Sequence, residues 1–107
     1  MKRIFAIALV LVLLFTASAI AEPFRVGMEC GYAPFNWSQV EATEDSVPID
    51  GNQGYAGGYD VEIAKRIAEG LGRELVIVKL EWDGLIPALN AGIIDAVVAG
   101  MSPTEER

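Results

Sequence analysis

The apolar run Leu75-Val76-Ile77-Val78, set between two segments of helical periodicity, narrows the fold more than any other feature of this chain. A short, unbroken, β-branched stretch suits a strand buried on both faces, as in a parallel sheet covered by helices. On its amino side, Val61, Ala64, Ile67, Ala68 and Leu71 recur on one helical face with Ile63 flanking. Glu62–Arg66 and Lys65–Glu69 stand four apart on the other face, where opposite charges pair. Gly58 or Asp60 opens this helix, and Gly70 and Gly72 close it. On the carboxyl side, Asp83 caps a second helix over 84–90 whose apolar side is Leu85, Ile86 and Leu89, and Gly92 stops it. Residues 24–30 and 93–98 read as the flanking strands.

Strand, helix, strand, helix, strand predicts an α/β fold: a parallel sheet with helices on both faces, joined by right-handed crossovers. If the second crossover returns past the first strand, the spatial order is second, first, third. The first and third strands then flank a switch point, and open α/β sheets bind ligands at the carboxyl ends of strands there. Those ends are Glu29-Cys30-Gly31-Tyr32 and Ala99-Gly100-Met101-Ser102. Between first strand and first helix, residues 31–37 form an aromatic turn with Tyr32, Phe35 and Trp37. Residues 38–54 are polar and acidic, a long surface loop with room for a small hairpin.

Lys2-Arg3, the apolar run 4–15 and the Ala19-Ile20-Ala21 site have the layout of a secretory signal, so residues 1–21 are expected to be removed. The remainder, 22–107, keeps six basic residues against 15 acidic ones. That balance argues against nucleic acid and against an anionic membrane surface as partners. Cys30 is the single cysteine, which excludes an internal disulfide framework and suits a buried structural thiol. There is no His, which removes Ser-His and Cys-His nucleophile pairs and His-based metal sites. Asp60, Asp83 and Asp95 fall on separate elements without metal-ligand spacing and suit caps and strand-edge hydrogen bonds. No cofactor, metal or catalytic residue is expected.

Ser102-Pro103-Thr104-Glu105 has the form of a helix start: Ser as N-cap, Pro at the first position, Glu completing a capping box. Unpaired amides and the positive end of the helix dipole suit an anion, and the fork of Arg107 suits a carboxylate. The same residues also suit a plain cap with a solvated arginine.

The strings Arg25-Val26-Gly27, Tyr32-Ala33-Pro34-Phe35, Gly57-Gly58-Tyr59-Asp60-Val61, Trp82-Asp83-Gly84-Leu85-Ile86-Pro87-Ala88-Leu89, Ile94-Asp95-Ala96 and Ala99 to Arg107 occur in this order. Together they resemble the extracytoplasmic solute-binding proteins of polar amino-acid ABC importers, over nearly all of 22–107. The resemblance implies a two-lobed periplasmic-binding-protein fold that closes over an amino acid, of which this chain holds the first part of lobe 1; the second lobe is absent. It implies that Ser102 and Arg107 hold the ligand carboxylate beside the backbone of Ala99 and Gly100. Tyr32 and Trp82 would sandwich the ligand side chain, and Glu29 would reach its distal end, favouring a donor-rich or cationic group.

The partners it implies are a small-molecule amino acid and a membrane permease, with a complete protein that is monomeric and works in the periplasm or outside the cell. The loop 38–54 is longer than is usual in the family. Two other classes use such a scaffold: an enzyme, such as a cyclic-acid dehydratase or the regulatory lobe of a cell-wall lyase, and the sensor ectodomain of a membrane receptor. Glu29 is the one candidate acid or base here, without a partner for general acid–base work.

Overall fold

The computed structural model describes residues 21–102 and 104–106; the expected signal segment up to residue 20, Pro103 and Arg107 lie outside the described residues. Strand β1 (Phe24–Met28) is the centre of a three-stranded parallel sheet with β6 (Leu75–Lys79) on one side and β7 (Ala96–Val97) on the other. The expected order of second, first, third strand is the one observed. Five residues of β1 match five of β6, from Phe24 opposite Leu75 to Met28 opposite Lys79. Val26 and Gly27 lie opposite Ala96 and Val97.

Two helices connect these strands. α1 (Tyr59–Leu71) buries Val61, Ala64 and Ala68 and packs on β6 and on the segments Asn36–Gln39 and Tyr55–Gly57. Ile67 and Leu71 were expected on the same face, but they are 39% and 53% exposed. They flank the stripe where nothing among the described residues covers it. Gly72 ends the helix in the left-handed region, φ 65°, and its amide satisfies the last carbonyls. Lys65 pairs with Glu62 at 2.9 Å rather than with Glu69 as expected, because it also donates to the carbonyl of Asp45 on the loop.

α2 (Trp82–Asn90) begins earlier than expected: its N-cap is Glu81, so Asp83 lies inside the first turn rather than capping it. Leu85 and Ala88 are buried against β1 and β7. A Cβ at Gly27 would stand 2.5 Å from Ile94 Cδ1 and 3.2 Å from Leu85 Cδ2, so α2 seats directly on the middle of β1. The first crossover runs from β1 to β6 and the second returns from β6 past β1 to β7, so right-handed connections put the two helices on opposite faces.

Three strand expectations need correction. The first strand stops at Met28 instead of Cys30, because Cys30 turns the backbone to φ 58°. The third is trimmed to Ala96–Val97, although Asp95 and Val98 amides still bond to Arg25 and Gly27 carbonyls at 2.8 and 3.2 Å. Strand β6 is not buried on both faces: only Ile77 is fully enclosed, and Leu75, Val76 and Val78 are half-buried. It lies at the edge of the parallel sheet, and the loop rather than another full strand covers it. There Ile49 bridges Ile77, and the Asp50 amide donates to the Ile77 carbonyl at 2.8 Å.

The stretch 31–57 holds more structure than a turn and a loop. β2 (Gly31–Tyr32), β3 (Asn36–Gln39), β4 (Val47–Pro48) and β5 (Tyr55–Gly57) form an antiparallel sheet in the order β2-β3-β5-β4. Side chains organise it: Trp37 Nε1 donates to Gln39 Oε1 at 2.8 Å, and the Thr43 amide donates to Ser46 Oγ at 2.7 Å. Arg73 fastens the chain entering β1, donating to the carbonyls of Glu22 and Pro23 at 2.7 Å each and to Asp95 at 3.3 Å. Asp95 also accepts the Arg25 amide at 2.9 Å, the strand-edge role expected of it.

Candidate functional site

The carboxyl ends of β1 and β7 lie side by side, and the chain leaves both through small residues. After β1, Cys30 and Gly31 lead into β2, which ends at Tyr32. After β7, the chain passes Ala99, buried at 3% exposure, and Gly100 at φ 63°. Here glycine is required twice over. Its φ is one that residues with a Cβ avoid, and a Cβ would stand 3.1 Å from Tyr32 Cε1 and 3.5 Å from Phe35 Cγ. The Tyr32 and Phe35 rings pack at a centroid distance of 5.0 Å, tilted by 36°. An aromatic pair therefore lies over a stretch of glycine backbone at the switch point of the sheet.

Tyr32 is 49% exposed, so its ring has a face to offer. Ser102 is exposed and follows two residues beyond Gly100. Trp82 is half-buried against the core at the first position of α2, beyond the carboxyl end of β6. Glu29 is half-buried just past β1 and shares a cleft with Gln53, Lys79, Leu80 and Glu81. The helix start expected at Ser102 is not formed among the described residues: Thr104 is irregular, and Glu105 and Glu106 lie in a turn. Arg107 lies outside the described residues; of the residues expected to take a carboxylate, Ala99, Gly100 and Ser102 are described.

Two residues of the site were missed in the sequence. Phe35 belongs with Tyr32 to the expected aromatic turn but is not among the expected site residues. Asn36, fully buried, holds the turn in place: Nδ2 donates to Asp60 Oδ2 at 2.9 Å and Oδ1 accepts the Gly31 amide at 3.3 Å. Asp60 is therefore not a helix cap but a buried acceptor, 4% exposed, tying α1 to the base of the aromatic turn. Nothing in the residue pattern singles out Asn36 for this.

Cys30 lies beneath the same turn. Burial pushes its thiol from 9.0 up to about 11, with Lys79 pulling weakly the other way. Such a thiol is protonated at neutral pH and a poor nucleophile. Among the described residues, no group of three His, Cys, Asp or Glu side chains is placed to hold a metal ion, and no helix is long and apolar enough to cross a membrane.

The family model for bacterial extracellular solute-binding proteins, family 3, matches residues 24–107. This chain belongs to that family. Among the curated relatives of this solute-binding chain, the L-arginine-binding protein of Pseudomonas aeruginosa is 36% identical over 89 residues, covering 83% of this chain and 30% of the relative. The histidine-binding periplasmic protein of Salmonella typhimurium is 32% identical over 112 residues, covering all of this chain and 38% of the relative. Among solved structures, the arginine-bound form of domain 1 from TmArgBP is 40% identical with a TM-score of 0.62, covering 78% of this chain and 57% of that one. The solute-binding chain described here thus spans roughly a third of the length of these curated relatives. Family and relatives alike are named for binding rather than for catalysis.

Proposed function

We propose that this chain is the front part of the first lobe of a receptor that captures a polar amino acid, of the basic kind, outside the cytoplasm and delivers it to an ABC-type permease. One observation carries this reading: the Tyr32 ring lies against Gly100 where β1 and β7 end, which sets an aromatic wall at the switch point of the sheet. In this arrangement Ser102 and Arg107 take the ligand's carboxylate beside the backbone of Ala99 and Gly100. Tyr32 and Trp82 flank its side chain, and Glu29 attracts the distal cation. The names of the relatives, arginine-binding and histidine-binding, favour a basic side chain. Residues 1–21 then serve as the export signal, and 22–107 as part of a lobe whose second half and partner lobe lie beyond this stretch. The intact receptor acts as a monomer.

The test is thermal unfolding of the intact receptor with each of the twenty amino acids. A ligand present at about 100 times its Kd stabilises the folded state by about 2.7 kcal/mol, which raises Tm by several degrees. The rise is expected with arginine, lysine or histidine and is expected to vanish in Arg107→Ala. An unchanged Tm with all twenty overturns the proposal.

A further inference from the structure

We infer that Gln53, at the tip of the long loop, is a specificity-determining residue that reads the far end of the ligand's side chain; this rests on the amino-acid reading above. Glu29, Gln53, Lys79, Leu80 and Glu81 line a single cleft of about 320 Å3. They arrive from separate segments: Glu29 from the end of β1, Gln53 from the loop, Lys79 from the end of β6, and Glu81 from the approach to α2. The cleft adjoins both proposed aromatic walls in the chain, since Glu29 lies three residues before Tyr32 and Glu81 immediately precedes Trp82.

The loop tip is built, not draped. The Asp50 amide donates to the Ile77 carbonyl at 2.8 Å, and the Ile49 amide donates to the Gly54 carbonyl at 2.9 Å. Gly54 sits at φ 89°, where a Cβ would meet the Gln39 carbonyl oxygen at 2.7 Å. Gln53 Nε2 donates to the Asp50 carbonyl at 3.0 Å, which orients the amide and leaves Oε1 as its acceptor. Among the described residues, Lys79 has no carboxylate within ion-pair distance, so the two carboxylates of the cleft are not spent on it.

Two carboxylates and an amide oxygen give acceptors on several sides, and the two negative charges outnumber the one positive charge of Lys79. A guanidinium fits such a site best: five N–H donors in a planar fork, and a delocalised, weakly hydrated charge. An ammonium concentrates its charge, and an imidazole brings fewer donors on a shorter stem. The cleft therefore selects arginine over lysine and histidine, and the long loop supplies the selecting residue.

Calorimetric Kd values of the intact receptor for arginine, lysine and histidine test this. Gln53→Ala is expected to weaken arginine by about tenfold, the loss of one hydrogen bond to a charged group. Histidine affinity and the ligand-free Tm are expected to stay within about twofold and about one degree. Gln53→Glu keeps an acceptor and is expected to restore arginine binding. Equal losses for all three ligands, no loss for arginine, or a wild type that binds histidine as tightly as arginine overturns the inference. A wild type that binds no amino acid overturns the receptor reading instead.

Discussion

The two sheets of this molecule are held together by different forces. The parallel sheet β6-β1-β7 is organised by apolar burial: Val26, Met28, Ile77 and Leu85 are wholly enclosed, and the side chains of Ile94 and Leu85 press directly on Gly27. The antiparallel sheet β2-β3-β5-β4 exposes Tyr32, Trp37 and Val40, and its shape comes from side chains bonding to one another and to turns. Burial is additive and tolerant of exchange, whereas a hydrogen-bonded layer depends on a few individual atoms. The candidate site lies where the layers meet, with the Tyr32 ring of one on the Gly100 backbone that leaves the other.

The largest test of the contrast is Leu85→Ala. Leu85 is 0% exposed beneath β1, and its truncation is expected to cost about 3 kcal/mol in transfer and cavity terms. Val40→Ser, at a residue 90% exposed in the other layer, is expected to stay within about 0.5 kcal/mol. Urea unfolding of the intact protein reads both. Comparable losses would mean that the exposed layer also depends on apolar burial.

Next in size is Asn36→Ala, which tests the polar side of the contrast. It removes the 2.9 Å donor to Asp60 and leaves a carboxylate, 4% exposed, without that bond. The expected loss is about 2 kcal/mol, far more than the apolar area removed would cost. Asn36→Ala with Asp60→Ala together should cost less than the sum of the two single changes, because the second removes the stranded charge. Strict additivity would show that the pair does not couple α1 to the aromatic turn.

This division explains what could be read in advance. The strand order, both helices and the switch point follow from periodicity and β-branching, because burial writes a repeating pattern into the chain. Of the two expected caps of α1, Gly58 stands there and Asp60 does not, and Lys65 does not pair with Glu69, for one reason: each side chain found a partner distant in sequence, Asn36 for Asp60 and the Asp45 carbonyl for Lys65. The antiparallel sheet was hidden for a similar reason. Val47-Pro48 and Tyr55-Ala56-Gly57 are too short to show alternation, and their pairing depends on loop closure and on Ile49 reaching Ile77. Of the candidate site, Tyr32 and Gly100 were legible because aromatic and glycine positions stand out; Phe35 and Asn36 were not, since their importance lies in what they touch.

A last test lies at the seam itself. Cys30 joins β1 to β2, is 2% exposed, and holds φ 58°, a conformation that is costly for a residue with a Cβ. Its thiol is raised from 9.0 to about 11 by burial. Between these values the unfolded chain has lost the proton while the folded one keeps it, so the folded state binds more protons and stability falls as pH rises. The contribution is fully present below pH 9 and lost as pH climbs through 11. In Cys30→Ala the backbone keeps its conformation but the titrating group is gone, so stability should decline less steeply across this window. Urea midpoints taken from pH 8 upward compare the two directly. Parallel curves would mean that water reaches the thiol, and that the seam between the layers is wetter than the packing of Met28, Cys30 and Ala99 implies.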